Sequence, residues 1–339
     1  MMTLGLLLLS LLVILVAAEI FTNALEHLGE RLGISEGVTG SVFAAVGTAL
    51  PETMVPLLAL FAGTDNVEVN EEIGVGAILG APLMLSTLSL FLMGAFAWKA
   101  RGLNGRFTPE PTGLRRDMNF FLLAFGFAGI ALFVPPEMRD FRGMLAIILV
   151  LTYFVYVLLT IRASSDLVKN NHGTVADKPM FLSRIGLPTT MPVVLLQLGL
   201  GLGLLVGGAK GFILGVEEAA PALGISALLL SLLIIPIATE LPEKVNSILW
   251  IRRGKDTLAF GNITGALVFQ GTLLPAIGIM LTPWIPQREV LAGVVLTLLA
   301  GMWLRLQIAR GELKVWHLIP NGLLYVAYLV IVAVGYANQ

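Results

Sequence analysis

Apolar runs near the length of a membrane-crossing helix recur along this chain from end to end, and they leave few folds open. Ten can be counted, at roughly 2–21, 36–62, 73–98, 118–134, 143–162, 192–214, 225–251, 258–283, 289–309 and 316–337. A helix needs about 20 such residues to cross about 30 Å of hydrocarbon. The runs are continuous rather than alternating, so they read as helices and not as barrel strands. Composition agrees: 57% of residues are hydrophobic and 13% charged, where a soluble domain carries about 25% charge. The expected fold is an all-α membrane protein of ten transmembrane helices. The first run, Met2 to Ile20, lacks a preceding basic segment and is long for a signal-peptide core, so it is predicted to stay as the first span.

The longest polar connection, Ala163 to Thr190, follows the fifth run and carries Lys169-Asn170-Asn171-His172-Gly173. It separates a first five-helix repeat, residues 1–162, from a second, residues 191–339, and leaves 163–190 as a linker loop. Lysine and arginine accumulate in cytoplasmic loops and so orient the helices. One set of alternate connections holds fifteen of them, among them Arg31, Lys99, Arg101, Arg106, Arg184, Arg252 and Lys314. The other set holds three, Arg139, Arg142 and Arg288. That bias predicts a cell-membrane protein with both termini outside and the linker in the cytoplasm. The connection with Asp65, Glu68, Glu71 and Glu72 is acidic and falls outside. Five spans per half insert the second half upside down relative to the first.

The halves also match in sequence. Leu32-Gly33-Ile34-Ser35 recurs as Leu223-Gly224-Ile225-Ser226, a shift of 191 positions. The same shift carries Glu26 onto Glu217, Thr48 onto Thr239, and Leu50-Pro51-Glu52 onto Leu241-Pro242-Glu243. Gly76, Gly80 and Ala81 match Gly261, Gly265 and Ala266 at a shift of 185, so the first copy holds six extra residues, expected in the acidic loop. An inverted repeat with Gly/Pro-interrupted helices points to a transporter whose site lies between the repeats near the midplane.

Glu52 falls mid-way along the second run and Glu243 mid-way along the seventh. An ionisable group at that depth costs several kcal/mol and marks function more often than structure. Pro51 and Pro242 precede the acids; each lacks an amide donor, which releases the carbonyls of Gly47 and Ala238 four residues earlier. Thr48 and Thr239 lie four residues before the acids and share their helix face. Their hydroxyls could instead bond back to their own helices. Each copy thus offers the hard oxygens that Ca²⁺ collects six to eight of. In the eighth run Asn262, Ala266 and Gln270 form one stripe, with Gln270 expected to reach the site or to bridge helices. Gly76, Gly80, Gly261 and Gly265 are spaced for close helix approach.

Gly47-Thr48-Ala49-Leu50-Pro51-Glu52 and Ala238-Thr239-Glu240-Leu241-Pro242-Glu243 resemble the paired G-T-S-L-P-E motifs of the cation/Ca²⁺ exchanger superfamily, its Na⁺/Ca²⁺ exchanger branch in particular. Gly261 to Gln270 is similar to the family's second element, G-N-x-x-G-S-N-x-F-N/D. The resemblance implies a ten-helix fold, alternating access by sliding of the first and sixth spans over a fixed core, and ligation of Ca²⁺ or its competitor by Glu52 and Glu243. The chain departs from the pattern at Ala49, Glu240, Ala81, Ala266, Leu85 and Gln270. Oxygens resembling the family's Na⁺ ligands are lost and one carboxylate, Glu240, is gained. Glu240 beside Glu243 would favour proton coupling by like-charge repulsion, unless Lys244 neutralises it.

The reading is a secondary antiporter exchanging a divalent cation, Ca²⁺ first, for H⁺ or Na⁺, with Mg²⁺ or Mn²⁺ as alternative cargo. Its candidate ligands are Glu52, Glu243, Glu240, Thr48, Thr239, Gln270, Asn262 and the carbonyls of Gly47 and Ala238. The partners are lipid and inorganic cations, with no cofactor beyond the transported ions. The absence of cysteine excludes disulfides, thiol catalysis and cysteine-ligated zinc. A net charge of −1 suggests no nucleic-acid partner. An intramembrane hydrolase would need a histidine pair, an aspartate pair or a serine–lysine dyad at depth, and a channel would need weaker binding than a carboxylate cage gives. His27, His172 and His317 are expected to be solvated, and Lys210 to stand opposite Glu19.

Overall fold

The computed structural model describes residues 2–31, 50–168 and 179–337. The first half comprises α1 (Met2–Arg31), α2 (Leu50–Ala62), α3 (Val67–Met84), α4 (Leu90–Arg101), α5 (Pro111–Ala131) and α6 (Arg139–Val168). The second comprises α7 (Met191–Leu223), α8 (Ala227–Thr239), α9 (Leu241–Arg252), α10 (Asp256–Leu281), α11 (Arg288–Ala309) and α12 (Ile319–Ala337). Six stretches are long and apolar enough to cross a bilayer: 67–101, 139–160, 191–223, 259–281, 288–309 and 315–335. Shorter apolar helices lie at 5–21, 52–62 and 227–237. The one departure from all-α structure among the described residues is a two-residue antiparallel ladder, β1 (Arg106–Phe107) on β2 (Leu313–Lys314).

Two rods form the core. Helices α3 and α4 run as one, joined by a π-turn at Leu85–Ser89 just after Pro82. Proline removes an amide donor, and a π-turn absorbs the mismatch. The Asn321 side chain of α12 donates to the Ser86 carbonyl inside that turn at 2.7 Å. Most of the apolar length of 67–101 and of 259–281 is buried. By contrast, little of 139–160 and 191–223 is buried, as suits a lipid-facing surface.

Helices α1 and α7 pack antiparallel along a glycine seam. A Cβ on Gly201, Gly208 or Gly215 would meet Phe21, Ile14 and Leu7 respectively, at 2.9–3.1 Å. The glycines and their partners each repeat every seven residues, in opposite directions, so a smooth groove on α7 receives one edge of α1. This register corrects the pairing expected for Lys210: its neighbour Gly211 meets Ser10, nine residues from Glu19. Lys210 instead lines a cleft of about 440 Å³ with Thr64, Asp65 and Glu217.

Helix α8 is fixed to α3 by a second glycine pair. A Cβ on Gly76 would meet the Leu228 carbonyl at 2.6 Å, and one on Gly80 the Leu232 carbonyl and Pro236 Cγ at 2.8 Å. Leu232 is four residues before Pro236, so its carbonyl has no helical donor and turns to the Gly80 Cα–H. No described atom would meet a Cβ on the repeat-equivalent Gly261, and one on Gly265 would meet only the Tyr156 hydroxyl at 3.8 Å. Glu72 of α3 accepts from the Leu228 amide at 3.1 Å and so caps α8 from a neighbouring helix. A carboxylate there offsets an orphan N–H and the positive helix end. Glu72→Ala is expected to cost about 1 kcal/mol, read as a lowered thermal midpoint in detergent.

The face carrying the basic loops is tied together across the two halves. Arg101 makes a bidentate pair with Asp256 at 2.8 and 2.7 Å and also donates to the Ile251 carbonyl at 2.9 Å. On the same face the hydrogen bond from Lys314, with its charge and that of Arg106, holds the Glu312 carboxyl below the ordinary carboxylate range. Two histidine expectations are corrected here. His27 and His317 are both buried, the first beside Glu30 at 3.5 Å and the second accepting from the Lys314 amide at 3.1 Å. Each caps or pairs locally, which releases it from water. His172 lies outside the described residues.

Candidate cation site

The seventh apolar run is two helices, not one. Helix α8 stops at Thr239 and α9 starts at Leu241, with Glu240 between them at φ −91°, ψ 5°. Two prolines explain the break. Pro242 sits at the start of α9, where its missing N–H costs nothing, but that same absence leaves the Ala238 carbonyl without its helical donor. Pro236, inside α8, does the same to Leu232. A broken helix at this depth presents carbonyls from the C-terminal end of one half and amides from the N-terminal end of the other.

Around this break the polar groups are buried. Glu240 is 0% exposed, and Thr239, Glu52 and Gln270 are each 1% exposed. The Thr239 hydroxyl donates to the Ile235 carbonyl at 3.0 Å. That is the back-bonded arrangement, and it leaves the oxygen lone pairs as acceptors. Glu243 is the third residue of α9, and Glu52 holds the repeat-equivalent place in the described part of α2. Asn262 of α10 donates to Ser247 of α9 at 3.0 Å, and Ser247 to the Ala259 carbonyl at 3.2 Å. Asn262 is thereby committed to the α9–α10 hairpin. The Gln270 side-chain oxygen has no hydrogen-bond partner among the described residues. Thr48 and Gly47 lie outside them.

Lys244 changes the electrostatics expected here. Its ammonium stands 3.2 Å from the Glu240 carboxylate, 2.9 Å from the Pro236 carbonyl and 3.0 Å from Met84 Sδ on α3. Glu240 and Lys244 are one turn apart on the same face, the spacing at which opposite charges meet. The like-charge argument for proton coupling therefore loses its premise, because the charge of Glu240 is offset within its own helix. The spacing of Glu240 and Lys244 admits this pair without requiring it. Met84 has no local signal as a partner, whereas Pro236 is legible as a second helix-breaker seven residues upstream of Glu243. Among the described residues no three His, Asp or Glu side chains converge as they would on a resident metal ion.

Comparison with known proteins gives a consistent result. The family model described as "Sodium/calcium exchanger protein" matches residues 2–162 and 193–334. The inner membrane protein YrbG of Escherichia coli K12 is 26% identical over 279 residues, covering 82% of this chain and 80% of that protein. The solved structure of the H⁺/Ca²⁺ exchanger CAX superposes with a TM-score of 0.75 at 20% identity, over 97% of this chain and 82% of that one. The sodium-calcium exchanger NCX_Mj superposes at 0.60 and 19% identity, over 97% and 98%. At these identities the two structures speak to the fold.

Proposed function

Because the chain belongs to the sodium/calcium exchanger protein family, we propose that it is a secondary antiporter exchanging a divalent cation, Ca²⁺ first, for H⁺ or Na⁺. Ten spans in two inverted five-helix repeats carry this function, with both termini outside the cell membrane. The observation that supports it most is the break of the seventh span at Glu240, where Thr239 and Glu240 are buried, as Glu52 and Gln270 are on their own helices. Hard oxygens in low dielectric suit a divalent ion. Glu52 and Glu243 bring one carboxylate from each repeat, and the Gly47 and Ala238 carbonyls complete the set. The α1–α7 pair slides as a unit over the α3–α4 and α10 core, a motion that the glycine seam and its exposed outer face permit.

Reconstituted protein should accumulate Ca²⁺ against an imposed Na⁺ or proton gradient and stop when that gradient is collapsed. Flux with no counter-ion gradient would indicate a channel, and a preference for Mg²⁺ or Mn²⁺ would redefine the cargo. The orientation has its own check. Asn104 is exposed on the basic face, and the chain has no cysteine. An Asn104→Cys variant should resist an impermeant thiol reagent in intact cells and react after permeabilisation. Labelling in intact cells would invert the topology.

A further inference from the structure

We propose that the Lys244 ammonium is a tethered cation that fills one cation subsite of this exchanger, leaving a net charge of −2 for the transported ions and making the exchange electroneutral. The inference rests on the antiporter reading above and goes beyond it to the stoichiometry.

The geometry is that of a bound cation rather than of a surface ion pair. Lys244 is 6% exposed and Glu240 0%. The ammonium takes one carboxylate oxygen of Glu240, the carbonyl of Pro236 at the C-terminal end of α8, and Met84 Sδ from the other half of the chain. The carboxylate and the carbonyl from the negative end of a broken helix are oxygens that a small monovalent cation would collect there, while the Met84 sulfur only holds the ammonium against α3. Lys244 supplies that charge from α9 itself. An ammonium is a compact point charge on a flexible stem, suited to stand in for an ion.

The charge count follows. With the proposed carboxylate ligands Glu52, Glu240 and Glu243 all charged the site carries −3, and Lys244 returns the total to −2. One divalent cation cancels that charge, and so do two monovalent ones, whether Na⁺ or protons. Each full cycle then moves two monovalent charges one way and one divalent the other, with no net charge crossing. Cargo cannot displace a lysine, so its subsite stays filled in both directions.

The test is Ca²⁺ flux by the full chain in proteoliposomes, with the membrane potential clamped at zero and at about 100 mV. One net charge per cycle would let about 100 mV bias the steady Ca²⁺ gradient about fiftyfold; the proposal expects no bias in either direction. A potential-dependent gradient in the wild type overturns it. Lys244→Met should restore the empty subsite, so that Ca²⁺ flux becomes stimulated about tenfold or more by Na⁺ over choline. Lys244→Arg should keep the wild-type independence. Because Lys244→Met leaves Glu240 without its ammonium and can misfold, the double variant Glu240→Gln/Lys244→Met, which keeps −2, provides the second reading. Its rate can fall, because Glu240 belongs to the site, but the steady Ca²⁺ gradient it reaches should be independent of potential, and a potential-dependent gradient overturns the charge count. Lys244→Met that folds and shows no new monovalent requirement overturns the tethered cation while leaving the antiporter intact. Absence of any Ca²⁺, Mg²⁺ or Mn²⁺ flux in the wild type overturns the antiporter reading, and this proposal with it.

Discussion

Proteoliposomes carrying Glu52→Gln should exchange Ca²⁺ at least about tenfold more slowly than wild type, because a charge-assisted contact is worth about 1.5–3 kcal/mol and every 1.4 kcal/mol is a factor of ten. Glu52 is 1% exposed, so neither water nor salt screens its loss. Glutamine keeps the volume and one carbonyl oxygen, which confines the change to charge. Glu243→Gln should behave alike, since repeat symmetry gives it the same place in α9 as Glu52 has in α2. Both variants should remain monodisperse after extraction, because neutralising a buried carboxylate relieves a desolvation cost rather than creating one. Near-normal flux in Glu52→Gln would remove the centre of the proposed site. Loss in Glu52→Gln alone would confine the site to the first repeat.

What the sequence disclosed follows from which forces act locally. The runs are legible because hydrocarbon imposes length and apolarity on each span, and the helical ends fall within a few residues of them for α10, α11 and α12. Helix α1 runs ten residues past its expected end, to Arg31. An apolar window reports where lipid ends, whereas a helix continues as long as its backbone bonds do. The seventh run was legible as one span bearing a Pro-Glu signal, but not as two helices. A single proline can kink or break a helix, and it is Pro236 and Pro242 together that separate α8 from α9. The four-residue spacing of the repeat glycines marks Gly76 and Gly80 for close helix approach, and α8 is the helix that makes it. The spacing could not tell which repeat would use its glycines for contact, since that depends on which helix lies opposite. The partners of Lys244 were the least legible feature. Its approach to Glu240 follows from spacing, but Met84 is 160 positions away in sequence and only tertiary packing brings it near. The charge balance of the site was therefore hidden, although every residue contributing to it had been identified except Met84 and Pro236.

The largest loss of stability is expected at the α3–α8 contact, from Gly80→Ala. The added methyl would fall onto the Leu232 carbonyl and 2.8 Å from Pro236 Cγ. Backbone and a proline ring cannot rotate away as a flexible side chain would, so α8 must shift. Overpacking of this kind costs about 1–3 kcal/mol where side chains can yield, and a backbone obstacle places Gly80→Ala at or above the top of that range. The shift would also move Thr239 and Glu240, which continue from α8, so a surviving population should lose Ca²⁺ exchange as well. Gly126→Ala is the control: it lies mid-helix in α5 with nothing within 4 Å of an added Cβ. There the higher helix propensity of alanine favours the variant by about 1 kcal/mol. The pair should therefore move the thermal midpoint of detergent-solubilised protein in opposite directions. A Gly80→Ala midpoint equal to wild type would show that α8 does not approach α3 as closely as these contacts require, and that the broken helix is held in place by something other than Gly76 and Gly80.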